Sequence, residues 1–157
     1  GGQLFVKGNN IMSGYFRHEK PAVLEPAHSE FGAGWYDTGD IVDIDSDGFI
    51  TIKGRVKRFA KIGGEMVSLS LVESMVAQCW PDDLHAVVSI PDSSKGEQLV
   101  LLTTNSKAQR KELSVFAREH AYGELNVPKK MIIREKLPLL GTGKTDYQIA
   151  KEIALAE

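Results

Sequence analysis

Lys144 closes the run Gly141-Thr142-Gly143-Lys144 and is followed by Thr145-Asp146-Tyr147-Gln148, which has the spacing of a helix-opening capping box. A helix N-terminus attracts anions through its free N–H groups and its dipole. Gly141 and Gly143 let the backbone approach a ligand, and a lysine adds a point charge suited to phosphate or carboxylate. A solvated surface lysine is the competing reading. Asp40 ends Tyr36-Asp37-Thr38-Gly39-Asp40; a carboxylate there can accept hydrogen bonds from a ribose diol, and two acids beside a glycine also suit a polar turn. Arg55, Lys57, Arg58 and Lys61 place four cations within seven residues, just before Gly63-Gly64. Such a stripe attracts phosphate or an acidic protein, or else guards a solvated edge strand.

Two further motifs fail on their spacing. Asp43, Asp45, Asp47 and Gly48 match the opening of a calcium loop, but its twelfth position needs a bidentate Glu and here is Gly54. Gly143-Lys144-Thr145 matches the end of a phosphate-binding P-loop, but the required earlier glycine is Pro138. His18, His28, His85 and His120 are scattered without metal-ligand spacing, and no metal site is expected.

The elements that must position these groups fall into two parts. The net charge of −2 over 157 residues argues against nucleic-acid binding. A lone Cys79 permits no internal disulfide, and no apolar run approaches a membrane span. The chain starts at Gly1-Gly2-Gln3 and reads as a soluble piece of a longer protein. Residues 1–54 read as hairpins: a strand at Gln3-Leu4-Phe5-Val6-Lys7, a short helix before Pro26, and two strand segments from Trp35, turning at Asp47-Gly48. Residues 55–157 read as strands alternating with three helices. Capping boxes at Ser70, Ser106 and Thr145 open those helices, and Leu71, Val72, Met75, Val76 and Cys79 form the buried face of the first. Gly123 ends the second. The fold class is therefore α+β, with a hairpin-rich segment before a short sheet flanked by three helices.

Gly14-Tyr15, Tyr36-Asp37-Thr38-Gly39-Asp40, Gly54-Arg55-Val56-Lys57, Gly63-Gly64-Glu65 and the run from Pro138 to Lys144 resemble, in this order, the late motifs of AMP-forming adenylating enzymes. The resemblance covers essentially the whole chain. It implies that residues 1–54 end a large adenylation domain and that 55–157 form its small mobile C-terminal domain, hinged near Lys57. Such enzymes join a carboxylate to the α-phosphate of ATP, with Mg2+, and then pass the acyl group to a phosphopantetheine thiol. By resemblance Asp40 binds the ribose hydroxyls, Arg55 assists at the nucleotide, Gly63 and Gly64 line the pantetheine path, and Lys144 bridges carboxylate and α-phosphate.

Arg58-Phe59-Ala60-Lys61, residues 64–69, Lys95-Gly96-Glu97 and Pro138-Leu139-Leu140-Gly141 look like the bacterial acyl-acyl carrier protein synthetases, which carry an acyltransferase half and reacylate lysophospholipid at the cytoplasmic side of the inner membrane. That resemblance implies fatty acid, acyl carrier protein and lysophospholipid as partners. Two departures stand out. Relatives often have an acid directly after the hinge position, where this chain has Arg58, and a base three residues after the lysine, where it has Tyr147. Because acyl carrier proteins are acidic, Arg58 and Lys61 are read as docking charges. The resemblance leaves the phosphate loop and acyl pocket outside this sequence, so the chain alone is not expected to catalyse. An acyl-CoA synthetase fragment, or a non-catalytic module docking an acidic partner, are the alternatives.

Overall fold

The computed structural model describes all 157 residues and divides into two compact units, Gly1–Lys57 and Arg58–Glu157. The first unit runs β1 (Gly2–Val6), β2 (Tyr15–Arg17), β3 (Lys20–Glu25), β4 (His28–Ser29), β5 (Gly32–Ala33), β6 (Tyr36–Ile44) and β7 (Ile50–Arg55). Strands β1, β6 and β7 make one antiparallel sheet with β6 in the middle, while β2–β3 and β4–β5 are separate hairpins. The helix expected before Pro26 is instead strand β3. Pro21 and Pro26 explain the outcome: each lacks an N–H, and each disfavours helical backbone in the residue before it.

The two strand segments expected after Trp35 are one strand, β6, running through Gly39 and Asp40 with a register shift against β7 between Ile41 and Val42. The β6–β7 turn is tied by Asp45, whose Oδ1 accepts from Asp47 N–H at 3.0 Å and Phe49 N–H at 2.9 Å. One carboxylate of the calcium-like triplet therefore serves the hairpin. Few side chains of this unit are buried; Ala27, Ser29 and Val42 are, whereas Ile44, Phe49, Ile50 and Ile52 are exposed.

The second unit follows a single 3-10 turn, Val56–Arg58. It runs β8 (Phe59–Ile62), β9 (Glu65–Ser68), α1 (Leu69–Cys79), β10 (His85–Asp92), β11 (Gly96–Thr103), α2 (Arg110–Glu119), β12 (Lys130–Ile133) and α3 (Tyr147–Ala156). The sheet has five strands. Strand β11 pairs with β10 over the full length of both; its other edge meets β8 at Gly96 and runs parallel to β12 from Val100.

Alternation along β10 and β11 builds two apolar layers. Val87, Leu99 and Leu101 pack with Val72, Met75 and Val76 of α1 and Leu113 and Ala117 of α2. Ala86, Val88, Val100 and Leu102 pack on the other face with Ala150 and Ala154 of α3. Both faces of these strands are covered, which accounts for their near-continuous apolar runs.

The helix boundaries correct all three expected capping boxes. Ser68, not Ser70, caps α1 by accepting from Leu71 N–H, and the buried stripe is Leu69, Val72, Met75 and Val76, with Leu71 outside. Gln109 stands at the start of α2 without a side-chain cap, because Asn105 closes a turn onto Lys107 N–H and delays the helix to Arg110. That helix ends at Glu119, before Gly123, and Ala121 takes the left-handed backbone (φ 58°). Asp146, not Thr145, caps α3, since Thr145 is held in a bridge to Leu139.

Candidate functional site

In the first unit the structure brings Asp40 and Arg55 together. They are register partners across β6 and β7, and Arg55 Nε stands 2.7 Å from Asp40 Oδ1. Arg55 Nη1 also donates to Thr38 C=O at 3.2 Å. The Thr38 hydroxyl in turn donates to Leu4 C=O and accepts from Asp40 N–H. The Tyr-Asp-Thr-Gly-Asp run is therefore a strand segment cross-braced by its own side chains. Asp37 accepts from the Gln3 amide at 2.7 Å and from Gly39 N–H at 2.8 Å. The Gln3 bond first, then the Gly39 bond, with Lys57's charge adding, hold the Asp37 carboxyl below its ordinary range. Lys57 ends this unit with its side chain exposed.

In the second unit Gly63 and Gly64 form the two-residue turn between β8 and β9. Their φ values of 60° and 92° are those of a type I′ hairpin, whose hand matches strand twist. Gly63 N–H donates to Lys95 C=O at 2.8 Å, pinning the turn to the start of β11. Lys61 is exposed.

Lys144 lies on a tight hairpin. Leu139 and Thr145 form a bridge, Leu140 N–H donates to Lys144 C=O at 2.8 Å, and Gly143 N–H donates to Leu140 C=O at 2.8 Å. Gly143 supplies the positive φ (82°) that a three-residue hairpin loop requires. Asp146 N–H then donates to Pro138 C=O, and the Asp146 carboxylate accepts from Gln148 and Ile149 N–H, both at 3.1 Å. The lysine is exposed at the foot of a hydrogen-bonded arch, two residues before the cap of α3.

Arg58 is not a free docking charge. Its side chain is 14 % exposed, and its Nη2 stands 2.7 Å from Glu73 Oε2, an ion pair rather than an aligned hydrogen bond. Its Nη1 donates to Val87 C=O at 2.9 Å, and its guanidinium carbon lies 3.8 Å from the centre of the Tyr147 ring. A cation held by carboxylate, carbonyl and ring has little left for an external partner.

Glu73 and Tyr147 were missed as partners of this cation in the sequence. Glu73 reads as the end of a capping box, yet its Oε1 accepts from Val87 N–H at 2.8 Å and its Oε2 from the Tyr147 hydroxyl at 3.0 Å. Burial, with Glu73's charge adding and Arg58 opposing, raises the Tyr147 hydroxyl above the usual phenol range. The available signal was the pair of departures at 58 and 147, which the fold places in contact.

No protein-family model matches the chain. It is 33% identical over 157 residues to a peroxisomal trans-cinnamate:CoA ligase of Petunia hybrida, covering 98% of this chain and 26% of that protein. It is 31% identical over 153 residues to the 2,3-dihydroxybenzoate-AMP ligase of Bacillus subtilis (96% and 28% covered) and 33% identical over 145 residues to the long-chain-fatty-acid–CoA ligase of Salmonella typhimurium (91% and 25%).

Among solved structures, ATP-bound MatB from Rhodopseudomonas palustris matches with a TM-score of 0.75 at 25% identity, covering 97% of this chain and 30% of that one. The o-succinylbenzoate CoA synthetase MenE of Bacillus subtilis, complexed with its acyl-adenylate intermediate, matches with a TM-score of 0.76 at 25% identity (96% and 30%). The homologues are thus AMP-forming CoA and acyl ligases, and the fold is one found in adenylate-forming enzymes. The chain spans about a quarter of the length of the curated relatives it matches. No helix is long and apolar enough to cross a membrane.

Proposed function

We propose that this chain is the C-terminal portion of an ATP-dependent, AMP-forming ligase that activates a carboxylic acid as acyl-AMP and transfers the acyl group to a phosphopantetheine thiol, releasing AMP. The observation that carries this reading is Lys144: an exposed lysine set by a hydrogen-bonded hairpin directly before a capped helix. In the first step the acid's carboxylate attacks the α-phosphate of ATP and pyrophosphate leaves. The Lys144 ammonium neutralises charge developing between those groups. Asp40, oriented by Arg55, accepts hydrogen bonds from the ribose hydroxyls. Mg2+ is assigned to the remainder of the enzyme. In the second step the Arg58–Glu157 unit turns about Lys57, withdraws Lys144 and presents the Gly63-Gly64 turn to the incoming thiol.

We infer a fatty acid as the substrate and acyl carrier protein as the acceptor, in lysophospholipid reacylation. The stretches around Arg58, residues 64–69, Lys95 and Pro138 support this. Lys61, exposed, remains a docking charge in this reading. The relatives that are CoA ligases favour a second reading, with CoA as acceptor.

Lys144→Ala in the full-length enzyme tests the reading. Adenylation, followed by pyrophosphate exchange, falls about 10²–10³-fold, the scale for losing one electrostatic stabiliser. Transfer from pre-made acyl-adenylate is nearly unchanged. An equal loss in both steps overturns the step assignment, and no loss in either returns Lys144 to a surface lysine. Offering CoA and acyl carrier protein side by side to the unaltered enzyme decides the acceptor.

A further inference from the structure

We infer that Arg58, Glu73 and Tyr147 form one anchor that sets the position of Lys144, with Arg58 and Tyr147 acting as positioning residues for the adenylation step; this rests on the role proposed for Lys144. Arg58 is the first residue of the second unit, and Tyr147 is the first residue of α3, three after Lys144. The Arg58 guanidinium carbon lies over the Tyr147 ring, 3.8 Å from its centre. Glu73 joins them, facing Arg58 Nη2 at 2.7 Å and accepting the Tyr147 hydroxyl at 3.0 Å through the same oxygen.

The cluster is also fixed to the sheet. Val87 lies on β10, which has β11 on one side only, and its backbone groups are taken by the cluster: N–H by Glu73 Oε1, C=O by Arg58 Nη1. A backbone pair that no neighbouring strand satisfies thus orients both side chains of the ion pair.

The hairpin carrying Lys144 is held at its N-terminal end by Leu137, buried in the layer under α3, while the hairpin itself is exposed. Leu139 and Leu140 are about half exposed, and Gly141, Thr142, Gly143 and Lys144 are exposed. Its second hold is the C-terminal stem, where Asp146 caps α3 and Tyr147 docks on Arg58. Catalysis by a charge requires that charge to be placed closely, and a misplacement of about 1 Å can cost up to ~10²-fold. The anchor gives the hairpin a fixed base and joins it to the residue that directly follows Lys57.

Two measurements test this. The first is amide hydrogen exchange on the 157-residue chain. Tyr147→Ala should speed exchange of the Leu140, Gly143 and Asp146 amides by about tenfold while leaving the β10–β11 amides unchanged, as expected for local rather than global opening. The second compares half-reactions in the full-length enzyme. Tyr147→Ala should slow pyrophosphate exchange about ten- to a hundredfold, with transfer from pre-made acyl-adenylate within about threefold. Arg58→Glu, which sets a second carboxylate against Glu73, should be impaired in the same step. Adding Tyr147→Arg, which supplies a cation in its place, should recover about fivefold or more of that loss.

Unchanged hairpin exchange overturns the anchor. Equal loss of both half-reactions, or absence of recovery in the double variant, overturns the positioning role. If Lys144→Ala leaves adenylation intact, the reading of Lys144 fails and the positioning role with it, while the exchange result alone decides the anchor.

Discussion

Arg55 Nε and Asp40 Oδ1 are 2.7 Å apart, and the two residues face one another as register partners on β6 and β7. The arginine side chain is 64 % exposed and the aspartate only 14 %. The arrangement suits a pair in which the sheltered carboxylate does the binding and the cation orients it. Because the arginine is largely exposed, the pairing contributes little to folding, about 0–1 kcal/mol.

Asp40→Asn in the full-length enzyme should therefore weaken nucleotide binding far more than it weakens the fold. Losing hydrogen bonds to a charged acceptor predicts a rise in the nucleotide Kd of about tenfold or more. Arg55→Met should give a smaller rise, because the carboxylate remains but loses its orientation. Calorimetric titration with ATP reads both. Unaltered affinity in Asp40→Asn would reduce the pair to a brace between two strands.

The residues Arg58–Glu157 should fold alone. Both apolar clusters lie wholly within this unit, from Ala60 to Val127 on one face of the sheet and from Ala86 to Ala154 on the other. The first unit has no comparable core. Expressed by itself, the second unit should unfold in urea in one cooperative transition with a slope of about 1–3 kcal/mol per molar. Limited proteolysis of the whole chain should leave it intact while residues 1–57 are digested. A broad transition, or cleavage spread through both units, would count against this modularity.

Different parts of the structure were legible in the sequence to different depths. The apolar runs within 84–90 and 98–104 announce strands because their alternate residues enter two different layers, and pattern alone carries that. Helix starts were less legible. Ser70, Ser106 and Thr145 each have an acid or amide three residues on, as a capping box requires, yet caps belong to Ser68 and Asp146, and Gln109 makes none. Local spacing cannot show that Glu73 is taken by Arg58 and Val87, or Thr145 by Leu139. Arg58 failed for the same reason. A cation in a basic stripe looks solvated, and only the fold brings Tyr147, 89 positions away in the numbering, beneath it. Lys144, Asp40 and Gly63-Gly64 stand on turns and strand pairs whose glycines and acids mark them in sequence, so their surroundings were partly readable.

Asp92 gives the second unit a specific acid sensitivity. Its Oδ1 accepts from the Ser94 hydroxyl at 2.6 Å, the Ser94 N–H at 2.9 Å and the Lys95 N–H at 2.9 Å, closing the β10–β11 turn. The Ser94 hydroxyl first, then the two backbone N–H groups, with Lys129's charge adding, hold its carboxyl well below the usual carboxylate range. A group whose pKa is lower folded than unfolded stabilises the fold above its unfolded pKa, about 4, and loses that contribution as pH falls toward the folded value. Asp92→Asn should thus be less stable than the unaltered chain at pH 7, and the gap should narrow steadily below about pH 4. Urea melts at neutral pH and in a series of acidic buffers measure it. A gap independent of pH would mean that shape, not charge, holds the turn.

Gly63 and Gly64 allow backbone conformation to be separated from space. Their positive φ values suit the type I′ turn, and an added Cβ would meet nothing within 4 Å at either position. Substitution therefore acts first on conformation, at a cost of about 1–2 kcal/mol for a residue averse to left-handed backbone. Gly64→Ala should destabilise the second unit by roughly that amount. Gly64→Asn should cost much less, because asparagine tolerates this backbone. The two variants divide differently in catalysis if the turn lines the pantetheine path. Asparagine would restore the turn but leave a side chain where the thiol arm must pass. Thioester formation from pre-made acyl-adenylate should then stay slow in Gly64→Asn although stability has returned, with pyrophosphate exchange normal in the same variant. Recovery of thioester formation together with stability would show that only the shape of the turn matters and that the pantetheine arm does not pass over it.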